Sequence, residues 1–216
     1  MINKDEPLPK HTKVDYYECY AKVVLEELYP EDFVNLEIKD KPDLQTNDGE
    51  LGIEVTNAID KDQRNAESLY VDIEYNRVRD KKGAFAKINK LGGKLYGGIL
   101  AGKPGTDSFD LILSAFDSKL NLLNGEGYKQ FKLNYLFIFS DILADDRMII
   151  DAIKDMQQSQ KDRKKQFYKV FILLPGGCYC FNLYKGSYEE NPIENPVQST
   201  QAYKARELVE KYEEIN

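Results

Sequence analysis

Residues 41 to 56, Lys-Pro-Asp-Leu-Gln-Thr-Asn-Asp-Gly-Glu-Leu-Gly-Ile-Glu-Val-Thr, constrain the fold more than any other stretch of this chain. The Asp48-Gly49 dipeptide favours a tight type I′ turn, whose two central residues both need positive φ, and it lies between two strand-like runs. With Asp48 and Gly49 as the loop, Asn47 faces Glu50, Asp43 faces Glu54 and Lys41 faces Thr56. Side chains alternate along a strand, so Leu44, Leu51, Ile53 and Val55 share one face while Asp43, Glu54, Thr56 and Lys41 share the other. The first face is core and the second gathers charge. Like charges directly opposed, with Cβ atoms about 4.5–5.5 Å apart, are destabilising. A divalent cation is the candidate that offsets this repulsion. The alternative is an Asp43 that merely ends a strand beside a solvated Glu54.

The rest of the composition narrows the chemistry. The chain has 216 residues, 42% hydrophobic and 31% charged, which suits a soluble globular protein with a real core. No apolar run approaches the roughly 18–20 residues of a membrane span. The N-terminus lacks the apolar core of a signal peptide, so a cytoplasmic location is expected, with no membrane partner. Cys19, Cys178 and Cys180 form neither a disulfide framework nor a zinc spacing, and Cys178 and Cys180 read as small buried hydrophobes. His11 is the sole histidine, which argues against a Ser-His-Asp triad, a Cys-His pair or a multi-histidine metal site. Carboxylates, lysines and tyrosines must therefore carry any catalysis. A net charge of −7 disfavours wholesale non-specific binding to nucleic acid and leaves room for a local basic surface.

Along the chain, residues 1 to 12 read as a loosely held arm. Val14, Tyr17, Ala21, Val24, Leu25 and Leu28 recur at helical spacing between Lys13 and Tyr29, and Glu18 falls on that apolar stripe. A strand is predicted from Phe33 to Lys39, then the hairpin, then a helix from Lys61 to Asp80. Between Arg77 and Lys103 eight basic residues accompany one acid, and seven of the 14 glycines lie between Gly83 and Gly105. This reads as a mobile, Gly-rich basic insertion, residues 81 to 108, with Phe85 and Tyr96 available for stacking, or equally as a solvated insertion that contacts nothing. A helix follows over Phe109 to Asn124, with Lys119 on the side of Ala115, Phe116 and Leu123. Tyr135 to Ser140 reads as a strand buried on both faces. Next come a helix near Arg147 to Gln157, a basic stretch at 161 to 165, strands at Tyr168 to Leu174 and Cys178 to Tyr184, a loop containing Pro192 and Pro196, and a helix from Thr200 to Glu214. Helices interleaved with strands indicate one α/β domain around a mixed sheet flanked by helices.

Gly97 to Lys103 has the spacing of a phosphate-cradling P-loop, but Pro104 stands where a Ser or Thr must hold magnesium, so an NTPase is not expected. The helix bearing Glu18, the Pro42-Asp43 pair, and Glu54-Val55-Thr56 within Gly-Ile-Glu-Val-Thr, followed by a helix and a buried strand, together resemble the PD-(D/E)xK nuclease superfamily. The resemblance covers roughly residues 13 to 140 and implies a restriction-endonuclease-like core. It further implies that Asp43, Glu54 and the Val55 carbonyl bind Mg²⁺ or Mn²⁺, with Glu18 as an outer or second-metal acid, for hydrolysis of DNA. Hard oxygen ligands suit Mg²⁺, which retains waters and bridges to substrate phosphate. In the family a lysine two residues after the glutamate serves the attacking water; here that position is Thr56. Lys41, opposite Thr56 in the hairpin register, could supply the ammonium, as could Lys61 or Lys119, and Thr56 could itself hydrogen-bond the water. Lys81, Lys82, Lys87 and Lys119 are expected to contact nucleic acid, with DNA placed ahead of RNA and a homodimer left open. The competing expectation is a catalytically inactive relative that binds nucleic acid or protein through its surfaces.

Overall fold

A computed structural model describes residues 8, 12–96, 99–101, 108–129 and 131–214, with the side chains of 95, 96 and 99–101 left aside. The chain packs as two compact units. The larger takes Leu8–Ala58 and the chain from Ser108 onward; the smaller is the intervening stretch from Ile59.

The larger unit begins with α1 (Tyr16–Leu28), capped by Asp15, whose carboxylate accepts the Tyr17 N–H at 2.7 Å. Three strands follow, β1 (Glu37–Ile38), β2 (Leu44–Gln45) and β3 (Leu51–Asn57). The smaller unit contributes α2 (Lys61–Glu74), α3 (Lys81–Lys90) and a hairpin of β4 (Lys94–Tyr96) and β5 (Ile99–Ala101). The larger unit resumes with α4 (Asp110–Leu123), β6 (Leu133–Phe139), α5 (Asp146–Gln160), β7 (Lys169–Leu174), β8 (Gly177–Asn182), β9 (Ser187–Pro192) and α6 (Asn195–Glu214).

Seven strands form one mixed sheet in the order β1-β2-β3-β6-β7-β8-β9. Strands β3, β6 and β7 run parallel and the other pairs antiparallel. Alternation sorts the side chains of the sheet into two cores. Ile53, Val55, Phe137 and Phe171 pack with α1 and α6, whereas Leu136, Ile138, Val170 and Ile172 pack with α4 and α5. The central strands are covered on both faces, which is why β6 reads as an unbroken apolar run.

The hairpin register is the expected one, with Leu44 opposite Ile53 and Gln45 opposite Gly52. The turn is longer than two residues. Thr46 N–H bonds Leu51 O at 3.1 Å, and Gly49 N–H bonds Thr46 O at 3.0 Å with Gly49 at φ 71°. Asp48 accepts the Thr46 hydroxyl at 2.6 Å and the Glu50 N–H at 3.0 Å, and these bonds stabilise a four-residue loop over 47–50. Two residues are added symmetrically, so the register survives.

Several expected boundaries move. The strand expected over Phe33 to Lys39 shrinks to Glu37–Ile38. The helix expected to reach Asp80 ends at Glu74, followed by Asn76 in the left-handed region at φ 54°. Asp80 then caps α3 by accepting the Gly83 N–H at 2.9 Å, so part of the basic insertion is helix rather than loop. Phe85 packs against the small core of Ala66, Ile73, Ala84 and Ile88 in that unit rather than standing free for stacking. The P-loop-like stretch lies partly outside the described residues. The stretch expected as a loop before the last helix contains β9, an edge strand paired along its length with β8. All three cysteines are buried and free, as packing hydrophobes.

Candidate functional site

Asp43, directly before β2, and Glu54 on β3 come together on the sheet face covered by α4, one residue beyond the Leu44–Ile53 pair that ends the ladder. Glu54 is 2% exposed and Asp43 half-buried. A carboxylate so buried needs partners, and Glu54 has two. Tyr128 donates its hydroxyl to Glu54 Oε1, and Lys119 Nζ lies 2.5 Å from Oε2. The same ammonium lies 3.5 Å from Asp43 Oδ2. That Asp43 oxygen also accepts the Val55 N–H at 2.7 Å, which fixes the aspartate against the backbone of β3.

Lys119 reaches this position because α4 is amphipathic. Phe116, Leu120 and Leu123 are fully buried around it, and its aliphatic stem runs along that apolar side to carry the ammonium to the carboxylates. Burial disfavours its charge, yet Asp43 and Glu54 outweigh burial and hold the ammonium above the ordinary lysine range. Burial and the neighbouring Glu54 push Asp43 upward, with Lys119 and the Val55 N–H opposing. Burial and the bond to Glu54 keep the Tyr128 hydroxyl protonated, as a permanent donor. Glu18, half-buried in the first turn of α1, is pushed up to about 7 by burial, then by Asp43 and Asp15, with Lys119 opposing. Asp43 and Glu54 share one ammonium, and the charge of Asp43 helps raise Glu18.

The structure brings Asp43, Glu54 and Lys119 together, and Glu18 on α1 is linked to them through the charges of Asp43 and Lys119. Val55 sits beside Asp43 through its amide. Thr56 is half-buried on β3 opposite Ile138, on the same strand face as Glu54. Lys41 is not brought in: its side chain is 64% exposed, 3.8 Å from Asp40, and the backbone turns away from the β2 ladder at φ 56°. The ladder ends before Lys41, so the opposition to Thr56 does not form. Lys61 is exposed at the start of α2 in the smaller unit. Lys81, Lys82 and Lys87 are exposed on α3, with Lys81 donating to Asn76 at 2.6 Å. Among the described residues, no group of three or more His, Cys, Asp or Glu side chains is arranged to hold a metal ion.

Two features of the site went unread in the sequence. Gln45 is 2% exposed and bonds Pro42 O and Lys129 Nζ, each at 3.0 Å. It lies two residues after Asp43, so strand alternation alone places it on the same face. Tyr128 follows the Gly125-Glu126-Gly127 break, and no periodicity there betrays its direction. Compared with protein-family models, curated proteins and solved structures, the chain matches none of them.

Proposed function

We propose that this protein is a metal-dependent nuclease that hydrolyses phosphodiester bonds in DNA at the Asp43, Glu54 and Lys119 cluster, on a restriction-endonuclease-like core. The observation that carries this reading is the position of Lys119. Thr56 leaves the expected lysine position empty of charge, and an ammonium from α4 stands on both carboxylates instead. The order of elements supports the same reading: α1, three antiparallel strands, then α4 and a β6 parallel to β3.

The donor set suits a hard cation. Mg²⁺ is commonly held by one or two carboxylates together with waters and substrate phosphate, so Asp43, Glu54 and the Val55 carbonyl suffice without a cage of three acids. Such an ion, when bound, lowers the pKa of a coordinated water and offsets charge building on phosphorus. The chain's own groups do the positioning. Tyr128 fixes one oxygen of Glu54, and the Val55 amide fixes Asp43. Lys119, held protonated, presents a donor for the attacking water or for a phosphoryl oxygen as its charge grows. Exposed Lys82 and Lys87 suit contacts to the DNA backbone, which give affinity without sequence information.

The contact between Lys119 and Glu54 also favours a second reading, a binding module in which the lysine neutralises the acids permanently. Calorimetric titration with Mn²⁺, paired with incubation of labelled DNA, separates the two. The nuclease reading expects Mn²⁺ binding and cleavage that Asp43→Asn and Glu54→Gln both abolish. Binding and cleavage unaltered in these variants, or a wild-type protein that takes no Mn²⁺, would defeat it.

A further inference from the structure

The larger unit carries a second polar site, remote in sequence from the carboxylates. The loop between α5 and β7 holds four basic residues in positions 161 to 168 against one acid, with Lys169 opening β7 after it, in a chain of net charge −7. Two buried or half-buried amides clamp its backbone. Asn124 accepts the Lys165 N–H and donates to the Lys165 carbonyl, both at 2.9 Å. Gln160 accepts the Phe167 N–H at 2.9 Å and donates to the Phe167 carbonyl at 3.1 Å. A basic loop pinned this way is preorganised, so little ordering cost remains for a ligand.

Beside it, Tyr168 and Tyr184 stack with ring centroids 5.6 Å apart and planes 13° from parallel. Tyr184 is 78% exposed although one ring face lies on Tyr168, so its other face is open to solvent. These tyrosines form one wall of a cleft of about 200 Å³ whose remaining lining includes Gln157, Gln160 and Gln166. The amide nitrogen of Gln157 is committed to Leu183 O at 2.7 Å, and that of Gln166 to Gln160 O at 2.8 Å. Both side chains therefore present their oxygens as acceptors, and among the described residues neither oxygen has a hydrogen-bond partner.

We propose that this cleft binds an unpaired base of a single-stranded nucleic acid, stacked on Tyr184, with an exocyclic amino group donating to the glutamine oxygens and the neighbouring phosphates met by the basic loop. An aromatic platform beside a cationic groove is the recurrent way single strands are held, and base edges are read by hydrogen bonds once unpaired. The site is joined to the carboxylates through Lys165, which donates to Tyr128 O at 3.2 Å and lies 5.4 Å from the centre of the Tyr128 ring. The inference rests on the nuclease reading only for the claim that this strand is the substrate.

Fluorescence anisotropy of a labelled oligodeoxycytidylate, measured in EDTA, tests it. Tyr184→Ala is expected to weaken binding about tenfold, the loss of one stacked base, while Tyr184→Phe retains it. Oligodeoxythymidylate, which lacks the amino group, is expected to bind more weakly than oligodeoxycytidylate. Equal affinity of wild type and Tyr184→Ala, equal affinity for the two strands, or cytidine monophosphate binding as tightly as the strand would overturn the proposal. Failure of DNA cleavage with Tyr184-dependent binding intact counts against the nuclease reading alone, and cleavage without that dependence counts against the base site alone.

Discussion

Gly52 sets how closely the aspartate can approach the glutamate. A Cβ built on it would lie 2.5 Å from Pro42 Cγ and 3.0 Å from the Phe131 ring, and Pro42 directly precedes Asp43. Gly52→Ala is therefore expected to cost about 1–3 kcal/mol, as overpacking does, and to weaken Mn²⁺ binding by displacing Asp43. Chemical denaturation and calorimetry read the two effects. Glu18 sets a pH dependence. Its folded value of about 7 exceeds the ordinary 4.5, so the folded state holds this proton more tightly, and the associated stability is full below pH 4.5 and lost as pH rises through about 7. Glu18 is only half-buried, and solvent screening limits the effect to about 1 kcal/mol. Glu18→Gln should thus unfold at a higher temperature than wild type at about pH 8 and at the same temperature at about pH 4, as thermal melts would report. Asp43 and Glu54 were legible in the sequence because strand alternation and one Asp-Gly turn fix both face and register. Lys119 was legible only as one of three lysines, since the direction in which a helix packs on a sheet is a tertiary property. Lys41 was misplaced because the ladder ends before it and the backbone there turns into the left-handed region.

At the level of elements, capping and pairing override composition. Lysines and a glycine make Lys81–Lys90 read as loop, but the Asp80 cap and the burial of Ala84 and Ile88 make it helix. Strand β9 is hidden for the opposite reason: Tyr188, Glu189, Glu190 and Pro192 belong to an edge strand, where charge and proline guard against further pairing. The order of α1, the β2–β3 hairpin, α4 and β6 was readable because each carries an unambiguous period. The clamp on the 161–168 loop was not, because the amides of Asn124 and Gln160 meet backbone that is distant in sequence or lies beyond a helix end. Asn124→Ala should leave the loop backbone with fewer bonds. Amide hydrogen exchange at Lys165 is expected to rise by at least about tenfold, while Phe167, held by Gln160, changes little.

Across the whole molecule, an acidic chain concentrates basic side chains where the proposed strand passes, so binding should depend steeply on salt despite the net charge of −7. Each phosphate contact to a single strand contributes about 0.7 to the slope of log affinity against log salt. Lys161→Ala and Lys164→Ala should each reduce that slope by about this amount in anisotropy titrations. The division of the chain at Ala58 has no compositional mark, because α2 carries its own apolar period into the core of the smaller unit, whereas the Gly-rich basic stretch expected over 81 to 108 ends where the larger unit resumes at Ser108. The larger unit holds Asp43, Glu54, Lys119 and Tyr128, and the central claim is that Lys119 takes over the task of the lysine that Thr56 lacks. The rate of DNA cleavage by wild type and Lys119→Met in saturating Mn²⁺ tests this most directly. The account expects wild type to cleave and Lys119→Met to be slower by at least about 100-fold, the scale of losing one positioned donor in the transition state. Equal rates for the two proteins, or no cleavage by wild type, would contradict it.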